Sequence, residues 1–180
     1  MGLIKEIIYR LRGEYTTEKL MKMGMRVGKN FHRLNGVILD PSHCWLITIG
    51  NNVTLAPRVH ILCHDASTKQ FLGYTKLGCV TIGDNVFLGA GTIVLPGISI
   101  GSNVVIGANS TVTHSIPDNS VAIGTPARVV CTLEEYLKKE TQRMNNSIIY
   151  SEEFTLNGKI TDAKKAQQRI EIQDSIGYII

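Results

Sequence analysis

A branched aliphatic residue returns at every sixth position over residues 82–112. The six residues are Ile82, Leu88, Val94, Ile100, Ile106 and Val112, and glycine follows four of them. A period of six fits neither an α-helix, whose faces repeat every 3.6 residues, nor a lone strand, which repeats every two. It is typical of a chain that turns a corner every six residues. Three such corners make one triangular coil, and stacked coils make a prism.

The same period continues, less regularly, on the N-terminal side of this block. Ile49, Leu55 and Ile61 are six residues apart. From Ile61 to Ile82 the separation is 21 residues, which is not a multiple of six, so the register is reset. Residues 64–79 are therefore predicted to leave the prism as a loop from one of its corners. Loops that interrupt a rigid repeat often carry function.

Helical patterns are predicted on both sides of the repeat. Residues 1–30 are expected to be a helical segment, with a second short helix from Thr17, as its cap, to about Met23. The prism is expected over residues 31–130. The last segment, 131–180, predicts a helix from about Thr132 to Arg143, a small hairpin around Asn157-Gly158, and a helix from Asp162 to about Ile172. The expected fold is all-β dominated, a parallel β-helix with helical extensions at both ends.

Composition narrows the possible partners and the compartment. The net charge is +4 without a run of five like charges, so nucleic acid is not expected as a partner. No apolar stretch approaches the roughly 20 residues of a membrane span, and no signal peptide is expected. The four cysteines form no C-x-x-C pair. They are interpreted as reduced, mostly buried thiols of a cytoplasmic protein.

Three features together resemble the hexapeptide-repeat acyltransferases, in particular the galactoside, maltose, xenobiotic and polysaccharide O-acetyltransferase branch. They are the hexad block, the loop that starts at His64, and the closing Gly124-Thr125-Pro126-Ala127-Arg128. The resemblance covers about residues 35–130. It implies a left-handed parallel β-helix that assembles as a homotrimer. It also implies acetyl-CoA as co-substrate in a groove between two prisms, with a histidine of the interrupting loop as general base.

His64 takes the place of that histidine and is the first candidate for catalysis. Transfer of an acetyl group to a hydroxyl needs a base near neutral pH, and imidazole, with an ordinary pKa of about 6.5, meets this need. The imidazolium can then protonate the departing thiolate, so no covalent acyl-enzyme is required. His43 is a rival as base or as a substrate contact. Asp40 or Asp65 can orient an imidazole.

A zinc site is a further interpretation, because His60 and His64 are four residues apart and trimeric carbonic anhydrases share the prism. A third ligand with suitable spacing is not evident in the sequence. No metal is therefore expected.

For coenzyme A, the resemblance points to Ala90, Ala108, Thr113 and Arg128. The two alanines follow glycine in LGAG and IGAN, where a small side chain lets the pantetheine arm lie against the backbone. Arg128 can pair with a phosphate through two donors. Phe87 stands where relatives often have tryptophan.

The expected function is that of an acetyl-CoA-dependent O-acetyltransferase acting on a hydroxyl of a sugar or polysaccharide. Residues 65–76 offer hydroxyl, amino and aromatic side chains for such a carbohydrate acceptor. One alternative keeps the chemistry and changes the acceptor to the amine of an amino sugar or to an antibiotic. An alternative of another class is a non-enzymatic trimeric β-helix scaffold.

Overall fold

The structure is a computed structural model that describes residues 14–180. They divide into two compact units, one that ends at Leu133 and one that spans Glu134–Ile180. Among the described residues, no helix has both the length and the apolar composition needed to cross a membrane.

The N-terminal part of the described chain is a short helix followed by the first strand of the prism. Helix α1 (Thr17–Lys22) is capped by the hydroxyl of Thr16, which accepts a hydrogen bond from the amide of Lys19 at 3.2 Å. The predicted helix is thus confirmed, with its cap one residue earlier. Strand β1 (Arg26–Val27) pairs with a prism strand. The prism therefore begins before the predicted boundary at residue 31, and a helical segment reaching residue 30 is wrong. The part of the predicted helical segment before residue 14 lies outside the described residues.

Four coils of three strands follow one another along the chain. The first coil is β1, β2 (His32–Arg33) and β3 (Ile38–Leu39), and the second is β4 (Ile47–Ile49), β5 (Thr54–Leu55) and β6 (His60–Ile61). After an interruption that contains β7 (His64–Asp65) and β8 (Lys76–Leu77), the third coil is β9 (Val80–Ile82), β10 (Val86–Leu88) and β11 (Ile93–Val94). The fourth is β12 (Ser99–Ile100), β13 (Val104–Ile106) and β14 (Thr111–Val112).

Successive strands belong to three parallel sheets that the chain visits in strict rotation. The first sheet is β1-β4-β9-β12 and the third is β3-β6-β11-β14. The second is β2-β5-β10-β13, extended by β15 (Ser120–Gly124) and by β16 (Ala127–Thr132), which runs antiparallel. This rotation is the three-sided parallel coil that the period of six predicts. The chain reverses at Thr125-Pro126, inside the closing motif of residues 124–128, and β16 then runs two residues past the predicted boundary at 130.

The period-six residues form the interior of the prism. Each lies beside its counterpart one coil away, in the pairs Ile49–Ile82, Ile82–Ile100, Leu55–Leu88, Leu88–Ile106, Ile61–Val94 and Val94–Val112. None of these side chains is more than 2% exposed. The stacked aliphatic columns bury apolar surface worth about 25 cal/mol per Å² and hold the coils in one register.

Asparagines form one corner of the prism, between the first and second sheets. Five of them have a left-handed backbone, with φ between 54° and 58°, and their side chains make a continuous hydrogen-bonded ladder of 2.9–3.0 Å: Asn30, Asn52, Asn85, Asn103 and Asn119. Asparagine tolerates this backbone conformation better than most residues.

The interrupting loop returns to the prism where it left it. The amide of Gly78 donates to the carbonyl of Cys63 at 3.0 Å, and β7 and β8 pair in an antiparallel ribbon. Between them lie a 3₁₀ turn, Ala66–Thr68, and helix α2 (Lys69–Leu72). The predicted excursion is confirmed, and the rigid prism fixes both of its ends.

Helix α3 (Leu133–Asn145) begins with the last residue of the first unit and otherwise belongs to the second. The second unit also contains strand β17 (Ile149–Tyr150), helix α4 (Asp162–Glu171) and strand β18 (Tyr178–Ile179), which pairs with β17. Both helices lie close to their predicted positions. The predicted hairpin around Asn157-Gly158 is wrong, because residues 155–159 form turns without flanking strands. The hydroxyl of Thr155 accepts from the amide of Gly158 at 3.0 Å and holds this turn.

Candidate active site

Two departures from the repeat meet at one edge of the third sheet. Asp40 follows β3 and His64 follows β6, and these strands are neighbours in which Leu39 lies opposite Ile61. Between Asp40 and β4 the chain adds a turn that carries His43 and ends in the 3₁₀ turn Cys44–Leu46. The carboxyl ends of two adjacent parallel strands thus place these three polar residues together.

The Asp40 carboxylate is buried and is contacted by two backbone amides and by one ring nitrogen. Its Oδ2 accepts from the amide of Cys63 at 2.9 Å and lies 2.5 Å from Nδ1 of His64. Its Oδ1 accepts from the amide of Ser42 at 3.2 Å. The side chain of Asp40 is 0% exposed and that of His64 is 37% exposed. A fixed carboxylate therefore lies behind an imidazole that reaches solvent.

These contacts determine the charge of the carboxylate and the tautomer of the imidazole. Burial alone would raise the pKa of Asp40. The bonds from Cys63 and His64, the charge of His64 and the amide of Ser42 outweigh burial and hold this pKa below its ordinary value. An ionised carboxylate only accepts hydrogen bonds, so Nδ1 of His64 carries a proton. In the neutral ring, the lone pair is then on Nε2.

His43 lies beside this pair. Its ring centroid is 5.1 Å from that of His64 and 5.3 Å from that of Trp45. One ring nitrogen of each histidine and one Asp40 oxygen all lie within 4.8 Å of one another. His60 does not belong to this group. Three potential metal ligands thus lie together, although no third ligand was evident in the sequence. Two of them, Asp40 and His43, come from a turn of the preceding coil.

Asp65, the other candidate for orienting an imidazole, has different contacts. Its carboxylate lies 2.6 Å from Nζ of Lys76 and accepts from the amide of Ser67 at 2.8 Å. These bonds hold the pKa of Asp65 well below its ordinary value. Of the two candidate carboxylates, Asp40 is the one in contact with His64, while Asp65 stabilises the start of the loop.

The two cysteines nearest to the site are buried, and all four cysteines are free thiols. Burial, with the charge of Asp40 as a further cause, raises the pKa of Cys63 to about 12. Burial likewise raises the pKa of Cys44. Cys79 is exposed and Cys131 is partly exposed, so the expectation of mostly buried thiols holds for two of the four.

Two of the residues assigned to coenzyme A by resemblance are stacked at another edge of the third sheet. Ala90 and Ala108 precede β11 and β14, and both are exposed. The carbonyl of Ala90 accepts from the amide of Asn109 at 2.8 Å, so they belong to consecutive coils. A Cβ at Gly89 would lie 2.5 Å from the amide nitrogen of Ala108, which explains the glycine. The two alanines form a smooth outer edge of the prism.

Of the other two residues assigned to coenzyme A, Thr113 lies at the edge of the third sheet that holds His64, and Arg128 lies on β16 at the end of the second sheet. Thr113 follows β14, and its hydroxyl is 2.8 Å from Nδ1 of His114. Arg128 and His114 line the same shallow cavity near the end of the prism. One chain therefore brings His64 and Thr113 to one edge of this sheet and places Ala90 and Ala108 at the opposite edge.

Aromatic side chains are accessible around the site. Phe71 and Tyr74 of the loop are 81% and 80% exposed, and Phe87, on the second sheet, is 44% exposed. Phe87 is thus on the outside of the prism. Trp45, which contacts His43, was not predicted as a site residue. Its position two residues after that histidine is the signal in the sequence that could have identified it.

Comparison with known proteins shows which family this chain resembles. Residues 79–114 match the family model of the bacterial transferase hexapeptide, six repeats. Protein CapG of Staphylococcus aureus is 34% identical over 165 residues, which cover 87% of this chain and 92% of CapG. Other relatives are named galactoside O-acetyltransferases and putative acetyltransferases, and the chain spans about half the length of several of them.

Solved structures agree with the family model. A maltose O-acetyltransferase from Clostridium difficile 630 is 44% identical with a TM-score of 0.54, over 61% of this chain and 59% of that one. A hexapeptide-repeat acetyltransferase of Vibrio cholerae O1 biovar eltor, solved with acetyl coenzyme A, is 28% identical with a TM-score of 0.54, over 61% of both chains. The chain therefore belongs to the hexapeptide-repeat acetyltransferases, a family of acyltransferases that use acetyl-CoA.

Proposed function

We propose that this protein is an O-acetyltransferase that transfers the acetyl group of acetyl-CoA to a hydroxyl of a sugar or polysaccharide, with His64 as general base. The observation that carries the proposal is the contact between the half-exposed His64 imidazole and the buried Asp40 carboxylate. The imidazole is held by a carboxylate that backbone amides fix in turn, and this arrangement suits a general base.

The tautomer determines how the proton moves. Asp40 holds the proton of His64 on Nδ1, so Nε2 is left to accept the proton of the acceptor hydroxyl. As that proton leaves, the hydroxyl oxygen attacks the thioester carbonyl carbon and a tetrahedral intermediate forms. Its collapse breaks the carbon–sulfur bond, and the imidazolium returns the proton from Nε2 to the departing thiolate. Asp40 stays ionised and stabilises the imidazolium between the two steps.

The thiols around the site support direct attack over an acyl-enzyme. A cysteine nucleophile reacts as its thiolate. Cys44 and Cys63 are buried, and their pKa values are raised, to about 12 for Cys63. Both are therefore protonated near neutral pH and are poor nucleophiles, so a single displacement through His64 is the simpler route.

The separation of the candidate residues supports a site shared between copies of the chain. Ala90 and Ala108 are at one edge of the third sheet and His64 is at the other. In a homotrimer of left-handed β-helices, as the resemblance implies, the alanine edge of one copy would face the His64 edge of its neighbour. Acetyl-CoA would lie between them, with Thr113 and Arg128 near its polar groups. The cytoplasmic location expected from the sequence remains a prediction.

A carbohydrate acceptor is supported by the loop and by the names of relatives. Phe71 and Tyr74 are exposed and can cover the apolar face of a sugar ring, while hydroxyl and charged side chains of residues 65–76 can bind its hydroxyls. The relatives include proteins named for galactoside and maltose O-acetylation. We therefore expect hydroxyl acceptors to react faster than the amines of amino sugars.

The proposal is tested by incubating the protein with acetyl-CoA and a panel of sugars, oligosaccharides and amino sugars, while release of the free thiol of coenzyme A is measured. The variant His64→Ala is expected to lower kcat by roughly 10²- to 10⁴-fold, because it removes the base and the acid of the reaction.

The matched control is His60→Ala, which removes a histidine four residues away that lies opposite Ile38 and outside the group of Asp40, His43 and His64. This variant is expected to keep the wild-type kcat. Full activity in His64→Ala would show that the base is a different residue, and thiol release with amino sugars alone would show that the acceptor is an amine.

A further inference from the structure

We propose that Asp40, His43 and His64 form a binding site for a divalent transition metal ion of the Zn²⁺ class, and that the ion inhibits the enzyme. The three side chains offer two imidazole nitrogens and one carboxylate oxygen, all within 4.8 Å of one another. The family does not need a metal for acetyl transfer, so the ion is a regulator of the site and not its cofactor.

The distances require only small side-chain movements. Zinc binds imidazole nitrogen at about 2.0–2.1 Å and carboxylate oxygen at about 2.0–2.2 Å, so tetrahedral ligand atoms are about 3.4 Å apart. The widest separation in the group has to close by little more than about 1 Å. Where Nδ1 of His64 and Oδ2 of Asp40 are both ligands, their contact of 2.5 Å has to open. If the ion binds at Nδ1 of His64, it takes the place of the proton there.

The support around the ligands is already that of a metal site. Ligating carboxylates are usually fixed by hydrogen bonds from a second layer of groups. Asp40 has such bonds from the amides of Ser42 and Cys63. Nδ1 of His43 is buried and makes no hydrogen bond to the residues at 14–180. No such bond therefore holds that ring in place, and it can turn a nitrogen towards an ion at little cost.

The donor set selects the kind of ion. Two imidazoles with one carboxylate suit zinc and its neighbours in the first transition row, whereas magnesium and calcium prefer ligand sets of oxygen alone. Three protein ligands also leave one tetrahedral position for water or for an acceptor hydroxyl. We therefore expect Zn²⁺ and Co²⁺ to bind and Mg²⁺ not to bind.

The consequence for catalysis rests on the proposed function. If the ion binds Nε2 of His64, that nitrogen can no longer take a proton from the acceptor. If it binds Nδ1, Asp40 no longer holds the imidazole. In either case acetyl transfer stops while the ion is bound. Chelation with EDTA then restores the rate, because the reaction itself uses no metal.

Binding is tested without acetyl transfer, by titrating Zn²⁺ into the full chain, free of affinity tags, in a calorimeter. One ion per chain is expected. The visible absorption of the Co²⁺ form should show the intense bands of a four-coordinate site. His43→Gln is expected to weaken Zn²⁺ binding by more than about 100-fold. Asp40→Asn should have a similar effect, and circular dichroism and Tm check that each variant is folded.

His60→Ala is the control, since it removes a nearby histidine that lies outside the group and should leave Zn²⁺ affinity unchanged. Absence of binding at millimolar Zn²⁺, or wild-type affinity in folded His43→Gln, would overturn the metal site. Binding without inhibition of acetyl transfer would keep the site and refute the inhibition. Inactive protein that still binds Zn²⁺ would count against the proposed function alone.

Discussion

The contacts of Asp40 explain why this aspartate, and not Asp65, which is next to His64 in sequence, can orient the imidazole of His64. Three donors meet two carboxylate oxygens: the amides of Cys63 and Ser42 and Nδ1 of His64. An asparagine has one oxygen and one NH₂ group in their place, so at least one donor would face another donor. Leaving a buried donor unpaired costs about 1–3 kcal/mol. Asp40 is thus a positioning residue whose charge and shape both matter.

Asp40→Asn is therefore expected to lower kcat roughly 100-fold with little change in KM for acetyl-CoA, because the tautomer and orientation of His64 are no longer fixed. The variant should also be less stable. The folded-state pKa of Asp40 lies below its ordinary value, so its contribution to stability is present above a pH of about 4 and is lost as the pH falls through the folded-state pKa. Steady-state kinetics and urea unfolding at several pH values measure both effects.

Asp65→Asn is the matched control for that experiment, as Asp65 is next to His64 in sequence but contacts Lys76. Its kcat should stay close to that of the wild type. An equal loss of kcat in the two variants would mean that the negative charge near the loop matters and the contact with His64 does not.

At the scale of the strands, most of the prism was predictable and part of the site was not. The period of six predicts the coils from Ile82 to Val112, because each corner repeats the same packing. Eighteen residues separate Ile82 from Ile100, but 22 separate Leu39 from Ile61 and 33 separate Ile61 from Val94. The long interruption was visible as a lost register. The shorter one was hidden, since the strand before it, β3, holds only two residues.

Both interruptions leave from the same edge of the third sheet, and this is why their polar residues meet. The sequence therefore placed His64 on a loop but left Asp40 and Asp65 as equal candidates. Choosing between them needs the strand register, which sets Asp40 beside Cys63. In this prism, the candidate site lies where two insertions interrupt consecutive coils at one edge.

The asparagine corner allows a test of how the repeat is stabilised. Asn103 has φ of 58° and its side chain accepts from Asn85 and donates to Asn119. Asn103→Ala is expected to lower the free energy of unfolding by about 2 kcal/mol, since the left-handed conformation costs alanine about 1–2 kcal/mol, a cost that the short polar side chain of asparagine offsets, and the ladder bonds are lost. Denaturant unfolding at a fixed protein concentration measures the change.

Asn103→Gly separates the two causes. Glycine also breaks the ladder but adopts the left-handed backbone without cost, so this variant should lose about 1 kcal/mol or less. Equal losses in the alanine and glycine variants would show that the ladder, and not the backbone conformation, stabilises the corner.

At the scale of the whole molecule, the third sheet separates the two halves of the proposed site. His64 is at one edge, the exposed Ala90 and Ala108 are at the other, and no rearrangement of the prism can bring them together without breaking its stacked core. A closed ring of identical copies solves this problem, because every copy then supplies each edge once. The assembly is thus part of the catalytic proposal.

Mixed trimers test that arrangement directly. His64→Ala lacks the base. Ala108→Trp places a large side chain at an exposed position on the alanine edge, where acetyl-CoA is proposed to lie, so each variant alone should be inactive. When the two are co-expressed and assemble at random, about one quarter of the interfaces combine an intact His64 with an intact Ala108 from different copies. We expect about that fraction of wild-type activity. Light scattering should confirm equal trimer content in all samples. Mixtures no more active than the separate variants would mean that each site lies within one chain.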